Sequence, residues 1–453
     1  MNTYNHPKSL PRSNACTLRI NDHPVEVLST GVADFALCAL APSDFPARVE
    51  ITSVQPVSAV TLRPLSKKLI ASVEGKTVRF ILHKPEKLSV DFARSPKPLY
   101  LFAQPPETNP PEPGAPGVIT FPAGQITESP LLTLQDDQTL YLPGGSVFKG
   151  RIHVKGKRGI RLCGHGIFDG SFYSKEAGEG FPSIILERCP GVLIEDLTMI
   201  RPQSWMLILA ACVGASVRNL KQIGEVMNSD GIDILGSRDV LIEDSFFHNN
   251  DDCIVVKAFE LGRKGAGPIQ IDGRENVENV LVRNCTLANW QGGNAMEIGH
   301  ELSVEHVRGV TFRDIDVLHV HGTGAVFSLH NNDRALIEDV LFDDIRIEHC
   351  YDKLIDFRIS RSRYSTDLER GRIRNITLRN IHWTRTPYNL GYTVSLIGGW
   401  DAEHTIENVI IENFIIDDRT VLHLDELEIN TRHCHGLQLV REASSDILKS
   451  GGI

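Results

Sequence analysis

One short template recurs along the chain and limits what it can fold into. It reads apolar, any, apolar, any, then Asp, Asn or Gly, then apolar, as in "GIRLCGHGI", "GVLIEDLTM", "DVLIEDSFF", "GVTFRDIDV" and "NITLRNIHW". The polar position falls at Gly164, Asp196, Asn219, Asp244, Asn284, Asp314, Asp344, Asn380 and Asn413, in steps of 32, 23, 25, 40, 30, 30, 36 and 33 residues. Alternation with β-branched residues is a strand signal, and a unit of this length repeated many times is the mark of a solenoid. Leucine-rich repeats compete, but they need a denser leucine pattern and a helical segment per unit. The expectation is an all-β chain dominated by a right-handed parallel β-helix, over 118–453. The longer steps, after Asp244 and Asp344, predict loops inserted at turns.

Residues 1–103 carry short alternating runs ("ARVEITS", "KTVRFILH", "KLSVDFA") separated by turn residues. They predict a small antiparallel β-sandwich. The proline-rich stretch "QPPETNPPEPGAPG", 104–117, predicts a stiff linker or strap.

Composition removes several classes of function. The formal net charge of -10 argues against a nucleic-acid partner, which needs a basic surface. The nine cysteines are odd in number and form no CxxC pair, so neither a zinc site nor a disulfide framework is expected, and no cofactor or metal is assigned. No apolar run reaches the ~18 residues of a membrane span. The N-terminus shows no signal-peptide core, which reads as cytoplasmic; a trimmed leader would leave the same sequence on a secreted or periplasmic protein. Oligomeric state is not legible.

The stretch "NSDGIDILGSRDVLIEDSFFHNNDDC" sets Asp230 one short coil before the pair Asp251 and Asp252, at separations of 21 and 22 residues. In a stacked solenoid that spacing makes the three carboxylates vertical neighbours. Close like charges raise one another's pKa values, a liability unless chemistry uses it. Glycoside hydrolysis does, with one carboxyl as acid and another as base or nucleophile. A solvated acidic turn and a calcium site are the competing readings.

These blocks resemble those of the polygalacturonase-like family 28 glycoside hydrolases: "NSDGID" (228–233), "DDC" (251–253) and "IGHE" (298–301), with "LYLPGGSVFKGRI" and "GHGIFDGS" similar to its opening coils. The resemblance implies inverting hydrolysis on a β-helix, with Asp251 as general acid, Asp230 and Asp252 holding and activating water, and His300 tuning the acid or binding sugar. It also implies that Asn228 and Gly231 shape a turn in which Gly supplies a backbone conformation closed to other residues. Two places depart from the family. Glu301 stands where a Gly is expected, and Ser328-Leu329-His330 stands where an Arg-Ile-Lys motif should read a substrate carboxylate; Arg358, in "FRIS", lies a coil later. A sandwich, linker and β-helix in that order also resemble the dextranase and isopullulanase enzymes, which act on neutral glucans.

Further candidates for substrate binding are Trp205, by stacking on a sugar face, and Lys257, Glu297 and Glu301, by bonding hydroxyls or a carboxylate. Arg263 and Lys264 of an inserted loop and Trp400 of a late coil are weaker ones. The partner expected is a polysaccharide or oligosaccharide. A polysaccharide lyase or epimerase, and a non-catalytic carbohydrate-binding solenoid, are the alternatives.

Overall fold

A computed structural model describes residues 1–95, 97–262, 269–386 and 394–440. Its main body is a single ladder of 29 strands in which each coil pairs with the next in parallel, Arg419–Thr420 alone pairing antiparallel among the described residues. Three columns of strands run along the axis. The first holds Arg161–Cys163, Leu193–Glu195, Val213–Arg218 and Arg238–Glu243 and continues into the long strands Val277–Asn289, His306–Val320, Leu336–Ile347 and Arg372–Trp383. Those long strands bend into the second column, where Thr286, Asp316, Arg346 and His382 stack on one another. The third column holds Leu207–Ala210, Ile232–Leu235, Ile254–Ala258, Met296–Leu302, Ala325–Asn331 and Lys353–Ile359. Among the described residues the helical segments are three short 3-10 turns.

Left-handed backbone positions bound the first column on both sides. All of the recurring polar positions, from Gly164 (φ 108°) to Asn413 (φ 50°), have positive φ. A second ladder of positive φ runs five residues earlier, through Gly191, Gly214, Asp239, Asn279, Gly309, Asp339, Asn375 and Asn408. Asn and Asp tolerate this conformation better than other side-chain-bearing residues. Stacked on adjacent coils, they also bond one another: Asn219 to Asp196 at 2.7 Å, Asn279 to Asp239 at 3.0 Å, Asn375 to Asp339 at 3.0 Å and Asn413 to Asn380 at 2.8 Å. The two ladders thus bracket four residues of the first column in each coil and hold its corners.

Inward-facing residues fill the coil. Phe312 and Phe342, on consecutive coils, stack at 5.3 Å with their planes 6° apart, and Phe327 and Phe357 pack around them. All nine cysteines are free, and all but Cys434 are buried.

The N-terminal strands form two sheets. One joins Cys16–Ile20, His23–Val25, Ala47–Ser53, Ser72–Glu74 and Thr77–Leu82; the other joins Asn2–Thr3, Val27–Ser29, Asp34–Ala39, Val60–Arg63, Glu86–Phe92 and Leu99–Gln104. Pairing is antiparallel except between Leu99–Gln104 and Asp34–Ala39, which run parallel. The second sheet turns Phe35, Leu37, Tyr100 and Phe102 onto the outer face of the second column, against Ile167, Ile200, Ile223 and Phe246. Tyr100 also shares a short hydrogen bond with buried His248. The last sandwich strand runs on through Gln104, a residue placed in the linker by sequence. Its buried side chain accepts from the Lys221 ammonium at 2.6 Å, which also donates to the carbonyls of Asp196 and Asn219 at 2.6 and 2.8 Å. The stretch beyond lies along the coils as a strap, with Glu107 accepting from the His165 amide and the Asn109 carbonyl from Arg161.

Asn380 (φ 55°) donates to Asp343 and accepts from Asn413. Replacing it with Ala should destabilise by about 1–3 kcal/mol, summing the left-handed penalty and the lost bonds. Asn380→Gly, which keeps the backbone at ease, should cost less; the midpoints of urea unfolding order the two variants.

Candidate functional site

The third column carries the predicted acids at the turns that enter its strands. Ile232 pairs with Ile254, and the Gly231 amide donates to the Asp252 carbonyl at 2.8 Å, so the two turns lie directly over one another. One oxygen each of Asp230, Asp251 and Asp252 fall within 4.8 Å of one another. Asp230 and Asp252 are buried and Asp251 is partly open.

Neighbouring amides hold the turns rigid. Asn249 donates to the Ser229 carbonyl at 3.0 Å and Asn289 to the Asp251 carbonyl at 2.8 Å. Asp252 accepts from the Asn294 amide and side chain at 2.7 and 2.9 Å. Asn228, exposed and at φ 63°, reaches Asp251 at 3.3 Å.

Gly231 corrects an expectation. It is absent from the positive-φ residues, and its need is for room: a Cβ there would meet the Cys253 carbonyl at 2.2 Å. The left-handed residue of this turn is Asn228 instead.

Electrostatics separate the acids. Burial, then the charge of Asp230, raise Asp251 to about 6. Burial, then Asp251, push Asp252 well above the usual carboxylate range. Lys257 lies beside them with its ammonium 2.9 Å from Asp230 and 2.7 Å from Asp233, and 3.9 Å from the centre of the Trp205 ring. Burial works against its charge, but the surrounding carboxylates outweigh it and raise its pKa. The ammonium is thus committed to two carboxylates and an aromatic face, which corrects the expectation that Lys257 binds substrate directly. Trp205 is half-buried beside it.

Glu297 needs a similar correction. It is fully buried, without surface for a sugar hydroxyl. Asp233, Val255, Glu297, Ser328 and Asp356 stack in one vertical column, and His330 bridges part of it, Nδ1 3.0 Å from Glu297 and Nε2 3.4 Å from Asp356. Arg358 completes the chain, 2.9 Å from Asp356. Burial disfavours the imidazolium, but Glu297 and Asp356 outweigh burial and hold the His330 pKa at about 9. The same contact brings Glu297 down to about 2 against its own burial.

His300 stacks on this network, 4.4 Å from His330 with ring planes 11° apart, and carries Tyr364 on its other side at 4.9 Å. Its Nδ1 accepts from Asn332 at 3.2 Å, and burial lowers its pKa to about 4, so it is neutral near pH 7. Glu301, raised by burial, lines a cavity of about 480 Å³ with Trp205, Phe259 and Tyr364.

Sequence reasoning missed Asp233, Asp356 and Tyr364. The first two sit inside strands, where a lone carboxylate among apolar residues was the only signal. Tyr364 stands on a loop inserted after the Lys353–Ile359 strand and pinned by Asp333, which accepts from the amides of Thr366 and Asp367 at 2.6 and 2.9 Å. Trp400 is 41% exposed, in a turn that follows the next strand of the third column. Arg263 and Lys264 lie outside the described residues.

Unfolded histidine titrates near 6.5, whereas folded His330 keeps its proton to about 9. Folding takes up a proton across that window, so its contribution to stability is whole below pH 6.5 and lost as pH rises through 9. Thermal unfolding across this range should show the decline, and His330→Gln should flatten it.

Residues 152–331 match the family described as Glycosyl hydrolases family 28. A probable polygalacturonase of Arabidopsis thaliana is 21% identical over 175 residues, 38% of this chain and 35% of that protein; the chain thus spans about a third of the relative it matches. Among solved structures, Dex49A from Penicillium minioluteum superposes with a TM-score of 0.67 at 14% identity, covering 97% of this chain and 96% of that one. A hyperthermoactive exopolygalacturonase from Thermotoga maritima does so at 0.51 and 16% identity, covering 72% of this chain and 84% of that one. The family 28 exopolygalacturonase of Yersinia enterocolitica does so at 0.51 and 12%, covering 87% and 96%. The matched stretch contains the three carboxylates, Lys257, His300 and His330, and this part of the parallel β-helix is similar to that family.

Proposed function

We propose that the protein is a glycoside hydrolase that cleaves polysaccharides or oligosaccharides with inversion at the anomeric carbon. The observation that carries the reading is the trio: three carboxylates from two adjacent coils within 4.8 Å, rigidly held and beside a buried ammonium. Like charges at that distance do not all ionise together, so a proton stays in the trio. Asp251 is the most accessible of the three and, raised to about 6, the one suited to donate it. The proton passes to the glycosidic oxygen as the bond to the anomeric carbon breaks. Water held between Asp230 and Asp252 attacks that carbon and gives up its own proton to Asp230. Lys257, 2.9 Å from Asp230, holds that carboxyl in place.

The spacing favours a second reading of the stereochemistry. Inverting pairs usually stand ~6.5–9.5 Å apart and retaining pairs ~5–5.5 Å, and the nearest oxygens here are closer than either range. In that reading a carboxylate attacks the sugar directly. The anomer first formed, followed by proton NMR at early times, decides between them: net inversion supports the water mechanism and net retention replaces it.

Asp251→Asn should lower kcat by about 10²–10⁴-fold, the range of general-acid catalysis, with KM little changed. Because the acid works protonated, wild-type kcat/KM should fall as pH rises above about 6, and the variant should lose that limb. Reducing-end release from a polysaccharide panel measures both; a variant as active as wild type would remove Asp251 from the role.

A further inference from the structure

The turn entering the third column runs from 201 to 206 in one coil but from 170 to 183 in the coil before it, and the extra residues form a loop that reaches toward the site. Several contacts hold this loop. The Tyr173 hydroxyl donates to the Pro130 carbonyl at 3.0 Å, and its ring meets Phe172 and Phe181 edge-on at 5.0 and 4.9 Å. Arg151 lies over the Phe181 ring at 4.5 Å. The Lys175 amide donates to Gln203 Oε1, one coil on, at 2.9 Å. From there the Lys175 side chain continues to the following coil, where its ammonium donates to the Met227 carbonyl. The next residue is Asn228, which reaches Asp251. The loop thus delivers a cation beside the turns that carry the acids.

Other cations of the site are committed to carboxylates. Lys257 lies between Asp230 and Asp233, His330 between Glu297 and Asp356, Arg358 beside Asp356 and Arg201 beside Asp169. Lys175 differs. The acids of its own loop are turned elsewhere, Glu176 accepting from the Ser174 hydroxyl at 2.9 Å and Glu179 from the Ser174 amide at 3.4 Å. Among the described residues its ammonium bonds a backbone carbonyl rather than a carboxylate. The side chain is half-buried, and burial lowers its pKa against the opposing charges of Asp251 and Asp230. Met227 itself is 70% exposed, so water can take over its carbonyl when the ammonium leaves. The flexible lysine stem and its three rotatable donors suit such an exchange.

We propose that Lys175 is a substrate-binding residue, its ammonium leaving the Met227 carbonyl for an oxygen of the sugar beside Asp251, at the end of the cleft that faces the earlier coils. An ammonium donates to a hydroxyl and to a carboxylate oxygen alike. The inference rests on the hydrolase reading above and adds a residue to that same site.

The test uses Lys175→Met, which keeps the stem and removes the charge, and Lys175→Arg, which keeps the charge. Each is made in the Asp251→Asn protein, and binding of polygalacturonate and of dextran is read by affinity electrophoresis. Lys175→Met should weaken binding of the better-held polymer by about ten- to hundredfold, the range for a hydrogen bond to a charged group. Lys175→Arg should restore most of that loss, with urea midpoints held at the parent's value. A loss confined to polygalacturonate and reduced by salt marks a carboxylate contact; a loss for dextran marks a hydroxyl contact; either supports the role. Asp251 faces Asp230, Asp252, Lys257 and Lys175. With Asp251 intact, Lys175→Met removes a neighbouring cation that favours the Asp251 anion, so the alkaline limb of kcat/KM should move to higher pH. A side chain that only anchors the loop would leave that limb in place. Unchanged affinity in Lys175→Met would overturn the role, as would a loss that Lys175→Arg does not restore, an unmoved limb, or no binding of either polymer by Asp251→Asn. A polymer held through Lys175 that wild type does not cut would leave the contact standing and sink the hydrolase reading instead.

Discussion

Backbone hydrogen bonds between successive coils fix which residue lies above which, and the rest of the molecule follows from that pairing. In a parallel ladder the partner of each strand residue is set by register, so side chains far apart in sequence become neighbours one strand spacing apart. Asp233, Glu297 and Asp356 share a column although more than a hundred residues separate the first from the last. The same pairing stacks Asn on Asp at the corners, where left-handed backbone would otherwise be costly, and turns each corner into a hydrogen-bonded ladder.

The chemistry draws on the same rigidity. Charges buried singly would be prohibitive, and here the two buried cations of the site have carboxylates on the coils beside them. Lys257 answers to Asp230 and Asp233, His330 to Glu297 and Asp356. The two clusters adjoin through the third column, with His300 stacked on His330 as a neutral ring. A site of this kind needs no flexible loop to assemble its acids, because the coil spacing holds them.

Much of this was legible in the sequence because a solenoid writes its geometry as a repeat. The polar position of the template marked one corner of every coil, and the Asp230, Asp251 and Asp252 spacing marked one turn above another. The second corner stands a constant five residues earlier, at the residue before the apolar template begins, and the template therefore does not include it. Gly231 was misjudged because a glycine in a turn suggests positive φ, whereas here the neighbouring coil leaves no space for a side chain. Lys257 and Glu297 read as substrate-binding groups in the sequence because sequence shows a charge and not its partner. Their partners arrive from other coils, at separations that the inserted loops make irregular. Tyr364 belongs to one of those loops and has no periodicity to announce it.

The paired corner ladders have a consequence for how such a molecule can vary. They enclose the first column completely, with four residues between corners in every coil, so an insertion there would break the spacing of both ladders. The long insertions instead enter beside the third column, as the hairpin of Glu260–Leu261 and Ile271–Asp272 and the loop carrying Tyr364. The coil is in this sense a loom with one side open: new loops can be threaded over the carboxylates and change what the cleft admits, while the frame that spaces the acids stays as it was.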